Sequence, residues 1–178
     1  MLCETDAVLV ESALGGDLES FGELCRRYYA PITAIAYSIL ADKHLAEDAA
    51  QEAFARALTS LGSLRRAARF GPWLASIGRN VAMDMVKDRT RYRDSAELWE
   101  LPDRDSPDAI HLAVRCAVAG LPAAARELVV LRYYDNMSYD RITAVLGLSR
   151  ASINGRLRRA KRMLARALAR EGLPEARS

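Results

Sequence analysis

Ser138-Tyr139-Asp140-Arg141-Ile142-Thr143-Ala144-Val145-Leu146-Gly147-Leu148-Ser149-Arg150 is the stretch whose reading decides the fold of this chain. Ser138 is placed to cap a short helix. Gly147 supplies the left-handed residue that ends it. Leu148 packs at the corner, and Ser149 caps a second helix starting near Arg150. This is the grammar of a helix-turn-helix. Laid out at 100° per residue, Ile153, Leu157, Ala160, Leu164 and Leu168 share one side of the second helix. Ala151, Gly155, Arg158, Arg162 and Arg166 share the other, with Arg159 beside them. Residues 150–170 hold eight Arg or Lys and no acid. A solvated helix usually mixes charge signs, because opposite charges at i,i+4 support it. One-sided positive charge asks for a polyanion. A mid-helix glycine costs roughly 1 kcal/mol against alanine, and Gly155 falls on the outward face, where it lets another molecule approach. The competing reading is a basic solvated helix with a chance glycine.

The rest of the composition agrees with helices. Of 178 residues 51% are hydrophobic, only 7% are aromatic, and there are ten glycines. No convincing period-2 strand appears, which predicts an all-α protein. Net charge is +3, but its distribution says more. The first twenty-three residues carry six acids and no base, and residues 65–93 carry eight bases against Asp84 and Asp88. Residues 94–108 turn acidic again. Such alternation predicts two basic surfaces joined by an acidic connector. Cys3, Cys25 and Cys116 are scattered and odd in number, so neither a disulfide framework nor a zinc site is indicated. His44 and His111 stand alone. No cofactor is implied. Without a signal peptide or a long apolar run, the chain is expected to be cytoplasmic.

Working outward, Thr5 is expected to cap a first helix ending at Gly15-Gly16. Asp17 caps a second running towards Leu40, which Pro31 should kink or divide. A third is expected from about Leu45 to Leu61, with Ala49, Ala53, Ala57 and Leu58 near its packed side. A fourth begins at Pro72 and runs to about Arg89. Residues 93–109 read as a linker, rich in acids and holding Pro102 and Pro107. Helical periodicity resumes near Ile110, breaks at Leu121-Pro122, and continues from Ala123 to Tyr134 before the helix-turn-helix. The expected organisation is a helical domain over 1–92, an acidic linker over 93–109 and a second helical domain over 110–178.

Three stretches in order carry a family resemblance: Glu47-Asp48-Ala49-Ala50-Gln51-Glu52-Ala53-Phe54; Phe70 to Asp84 with Trp73, Arg79 and Asn80; and Leu121-Pro122 with Arg126-Glu127, Ser138-Tyr139 and Gly155-Arg156. Together they resemble the extracytoplasmic-function sigma factors of bacterial RNA polymerase, over about residues 17–92 and 110–168. The resemblance implies a sigma-2-like helical bundle and a sigma-4-like helix-turn-helix domain. It implies that Asp48, Gln51 and Glu52 bind core polymerase, with Phe54 as the apolar anchor beside them. From spacing alone, those polar residues share a helix face that reads first as a solvated one, and the resemblance reverses that reading. The resemblance further assigns the Pro72 helix and the loop after it to a melted −10 promoter element. Asn80 matches a family position there, and Arg79, Asp84, Lys87, Arg89 and Arg91 are its polar neighbours. A basic groove and a pocket for an extruded base are what such an opened strand requires. The recognition helix is assigned to the −35 duplex through Asn154, Gly155, Arg156, Arg158, Arg159 and Arg162.

The sequence departs from the family at Arg141, where many members carry an acid that completes a capping box, and at Gly155, often serine. The implied partners are core RNA polymerase, promoter DNA and an anti-sigma factor. A stand-alone helix-turn-helix regulator is the alternative, and it leaves the acidic stretch at 47–52 unexplained. An enzyme is not expected, since no nucleophile, metal cluster or phosphate loop accompanies the carboxylates.

Overall fold

The computed structural model describes residues 5–92 and 107–171, with side chains described over 5–88 and 111–171. Cys3 and residues 93–106 of the expected linker lie outside the described residues. Every regular element among those described is helical, as the composition predicts.

Four helices form the N-terminal bundle. Helix α1 (Asp6–Leu14) is capped by Thr5, and α2 (Leu18–Leu40) by Asp17, whose carboxylate accepts from the Glu19 N–H and the Ser20 hydroxyl. Those bonds, the Ser20 hydroxyl first, hold the Asp17 carboxyl below its ordinary range. Phe21, Leu24, Tyr28, Ile32 and Ile35 repeat at helical spacing along α2 and are all buried. Pro31 was expected to kink or divide this helix, yet α2 is a single element. Proline lacks an N–H, so the carbonyl four residues earlier loses its helical donor. That carbonyl belongs to Arg27, and the Arg141 guanidinium of the C-terminal unit donates to it instead. Satisfying a part-buried carbonyl in this way avoids a penalty of about 1–3 kcal/mol.

Helix α3 (Lys43–Ser60) starts two residues before the expected Leu45, because Asp42 acts as its cap and accepts from the Leu45 N–H at 3.1 Å. Ala46, Ala49, Ala50, Ala53 and Ala57 are fully buried. These small side chains let α3 lie close against α2 and α4. Leu58, expected on that packed side, is exposed. Helix α4 (Phe70–Tyr92) begins slightly before Pro72, which sits in its first turn, where no N–H is required. Phe70, Leu74, Ala75, Val81 and Ala82 of α4 complete the core.

The C-terminal unit holds α5 (Pro107–Ala119) and α6 (Ala123–Val129), which runs on into a π-helical turn at Val130–Tyr134. It ends with α7 (Tyr139–Leu146) and α8 (Arg150–Arg170). Leu128, Leu131, Ile142, Val145, Ile153, Leu157 and Ala160 pack in its interior. The two units lie against each other, α7 on α4, and α6 with its π-turn on α2.

Ala41 ends α2 in the left-handed conformation, φ 53° and ψ 23°, a geometry that favours glycine. Its side chain is exposed, so nothing offsets the steric cost. Ala41→Gly is therefore expected to raise stability by about 1 kcal/mol, read as a higher urea midpoint at unchanged slope.

Candidate docking face and nucleic-acid interface

Three helical faces hold the residues singled out from the sequence. The first is on α3. Asp48, Gln51 and Glu52 are all exposed and lie on one side. Phe54 does not join them. It is buried at 8% exposure in the core of the bundle, which corrects its expected role as an anchor. The reason is rotational: two residues beyond Glu52, Phe54 lies roughly 200° around the helix. The apolar residue that does belong to the stripe is Leu58, two turns beyond Gln51 and 43% exposed. The i+7 spacing from Gln51 was the signal for it.

The second face is on α4. Asn80 is exposed. Arg79 is engaged across the molecule: its Nε and Nη2 donate to the Glu127 carboxylate of α6 at 3.0 and 2.8 Å. The Glu127 side chain is only 11% exposed, so this is a bidentate, charge-assisted pair of the stronger kind. Asp84, expected among the nucleic-acid contacts, is instead tied to bases of its own bundle. Its carboxylate lies 3.6 Å from Arg56 and 3.3 Å from Lys87, while Arg56 also donates to Glu52 at 2.7 Å. A carboxylate repels phosphate, and here it positions cations instead. The Glu52–Arg56–Asp84–Lys87 chain thus joins the α3 face to the α4 face. The side chains of Arg89 and Arg91 lie outside the described ones.

The third face is on α8. Ser138 accepts from the Arg141 N–H, Gly147 ends α7 at φ 67°, and Ser149 accepts from the Ser152 N–H. Tyr139 is flanked by the Arg132 and Arg150 guanidinium groups at 5.3 and 5.6 Å from its ring, and Arg132 also donates to the Met137 carbonyl. These contacts fix the angle at which α8 leaves the turn. Ile153, Leu157 and Ala160 are buried, while Asn154, Arg158, Arg159 and Arg162 are exposed. Arg156 and Gly155 are half-buried. A Cβ at Gly155 would meet nothing, so the outward surface is open there. Arg159 lies back along the helix, with its Nε 3.4 Å from the Gly155 carbonyl.

A separate polar cluster joins α1, α2 and α7. Asp6 accepts from Arg27 and from the Tyr28 hydroxyl, and the Arg141 guanidinium lies 4.8 Å above the Tyr28 ring. Burial, and then the bond to Asp6, push the Tyr28 hydroxyl well above its ordinary pKa. Tyr28 is therefore a protonated donor throughout the physiological range. Sequence reasoning missed this cluster, because the bonds that Asp6 and Arg141 make to Arg27 and Tyr28 span 21 or more residues. Among the described residues no group of His, Cys, Asp and Glu could hold a metal ion, and no helix is long and apolar enough to cross a membrane.

Ser149 carries the start of α8. Ser149→Ala is expected to cost about 1 kcal/mol, seen as faster amide exchange in the first turn of α8 with the N-terminal bundle unaffected.

Residues 24–92 match the family model for sigma-70 region 2, and residues 111–164 match that for sigma-70 region 4. The chain is 30% identical to the RNA polymerase sigma-H factor of Pseudomonas aeruginosa, over 93% of this chain and 94% of that one. It is 32% identical to the probable RNA polymerase sigma factor RfaY of Xanthomonas campestris, over 84% of this chain, but spans only 40% of that protein's length. Among solved structures it resembles CnrH, determined in complex with the cytosolic domain of CnrY, with a TM-score of 0.63 at 27% identity. That match covers 94% of this chain and 99% of the other.

Proposed function

The chain belongs to the sigma-70 family of RNA polymerase sigma factors, of the extracytoplasmic-function type, and we propose that its three helical faces divide the work of promoter-specific initiation. The exposed stripe of α3, Asp48, Gln51, Glu52 and Leu58, docks on core polymerase. Carboxylates and an amide around one apolar residue suit a basic partner surface with an apolar seat. Helix α4 and the segment after it hold the melted −10 strand. Asn80 is the exposed amide there that suits a base edge, and Lys87 suits a phosphate. Helix α8 enters the major groove of the −35 duplex. Arg158 or Arg159 then reads a base and Arg162 grips the backbone.

The observation that carries this reading is the separation of charge by face. Acids stand on the α3 stripe, and bases without an acid line α8. A solitary DNA-binding regulator needs the second face and has no use for the first. The chain contributes binding and strand separation, and the bond-making chemistry belongs to the polymerase. That work places it in the cytoplasm. The same separation of tasks divides the chain into a domain over 1–92 and a second that starts with α5 at Pro107, three residues before the expected boundary at 110, so the linker expected over 93–109 ends at 106. An anti-sigma factor that covers these faces is the regulator expected by likeness to CnrH, whose structure includes CnrY.

Asp48→Ala/Gln51→Ala/Glu52→Ala is expected to lose affinity for bacterial core polymerase by 100-fold or more (~3 kcal/mol, on the scale of a few interface anchors), with circular dichroism unchanged. Retained affinity in that variant would remove α3 as the docking face. On the DNA side, Arg162→Ala should weaken holoenzyme binding similarly at all promoters and reduce the salt slope by about 1. Arg158→Ala or Arg159→Ala should also relax discrimination at one −35 base pair, by about 1–3 kcal/mol.

A further inference from the structure

The turn before the helix-turn-helix carries two tyrosines that belong neither to the core nor to the faces described above. Val130 is buried, and in a regular α-helix the residues three and four beyond it share its face. Here the hydrogen bond closes five residues on, from the Asp135 N–H to the Val130 carbonyl at 3.0 Å. This π-turn holds one residue more than an α-helical turn, so Tyr133 and Tyr134 come out to the surface, 48% and 65% exposed. The two rings then part. Tyr134 stacks on Tyr37 of α2 with ring centres 4.9 Å apart. Tyr133 instead receives the Lys161 ammonium of α8, 5.3 Å from its ring centre. Lys161 is itself exposed. It stands seven residues beyond Asn154 and three beyond Arg158, on the same outward side of α8.

We propose that Tyr133 is a positioning residue for duplex binding: its ring holds the Lys161 ammonium at the edge of the recognition face, where that cation grips a phosphate. A lysine carries its charge on a flexible four-carbon stem and loses rotamer freedom when it binds. The electron-rich ring face attracts the ammonium and restricts the stem before DNA arrives. An ammonium has three N–H donors and a ring occupies one side of it, so the other side stays open to an anion. The helix rises about 1.5 Å per residue, which puts Lys161 about 4.5 Å along the axis from Arg158 and about 10 Å from Asn154. The major groove is about 12 Å wide. Side chains that reach base edges from the middle of the face therefore leave Lys161 near a groove wall, where phosphates stand. The ring face does this work and the hydroxyl does not, which separates the role from a direct DNA contact by the phenol. The pairing of Tyr133 with Lys161 stands on the geometry, and its consequence for DNA rests on the reading of α8 given above.

The test is titration of the full chain with a mixed-sequence duplex of about 30 base pairs across a salt series, because phosphate contacts form without regard to sequence. Lys161→Ala is expected to weaken binding about fivefold at about 0.15 M salt and to lower the salt slope by about 1. Tyr133→Leu should weaken binding about threefold, the scale of one exposed cation–π contact, with the slope unchanged. Tyr133→Phe should bind as wild type does, and Tyr133→Leu should cost nothing further in the Lys161→Ala background. In proton NMR spectra the Lys161 ε-methylene is expected upfield in wild type and Tyr133→Phe, shifted by the ring, and at its ordinary position in Tyr133→Leu. Both side chains are exposed, so helicity and Tm should stay those of wild type. An unchanged slope in Lys161→Ala would overturn the phosphate contact. A loss in Tyr133→Leu that persists without Lys161, or that Tyr133→Phe shares, would overturn the positioning role. Arg162→Ala is the control. If it lowers the slope while Lys161→Ala does not, this inference fails and the reading of α8 stands; if neither lowers it, both fail.

Discussion

Helix α2 must serve two packing partners at once, and the rest of the molecule is arranged around that demand. Its buried residues meet α1, α3 and α4, while another side receives α6 and the π-turn. A helix with so little surface left for solvent tolerates few unsatisfied backbone groups. Pro31 creates one inside it, and the partner comes from the other unit, as the Arg141 guanidinium. One imino acid in the N-terminal bundle is thus answered by one arginine more than a hundred residues later. The alanine face of α3 is the complementary device. It holds α3 close with little side-chain volume, so the opposite face remains free for polar residues.

The electrostatics separate naturally into two kinds. Exposed pairs such as Glu52–Arg56 and Lys87–Asp84 contribute little to stability, because water screens them and long side chains lose freedom in making them. Their value is positional, since they fix which way the cations of α3 and α4 point. The Arg79–Glu127 pair differs, with a carboxylate mostly withdrawn from water and two hydrogen bonds to one guanidinium. The bases of α8 are unlike either. They lie along a helix with no acid to balance them, and their energy is collected only when a polyanion arrives and counterions leave.

Much of this was legible in the sequence, where the signal is local. Ser138, Gly147 and Ser149 act at the turn as their residue types dictate, because a cap depends on atoms within three or four residues. The burial of Ile153, Leu157 and Ala160 follows from periodicity for the same reason. Phe54 shows where composition misled: an aromatic next to acids suggested an anchor, while its angle around the helix puts it in the core. Arg141 and Arg79 mark the true limit. A cation in a sequence of helices announces neither the carbonyl that Pro31 frees nor the carboxylate of Glu127. Those pairings exist only once the two units have met, and no spacing rule spans 48 or 114 residues.

Direction of polymerase to open DNA at a defined place is the work to which the three helical faces are suited. It is tested most directly by permanganate footprinting of complexes selected from a random-sequence duplex library with core polymerase and the purified chain. A recurrent duplex motif is expected, with reactive unpaired thymines at a fixed distance from it that appear only when both polymerase and the chain are present. Selection of the same motif by the chain alone, with no polymerase-dependent reactivity, would contradict it.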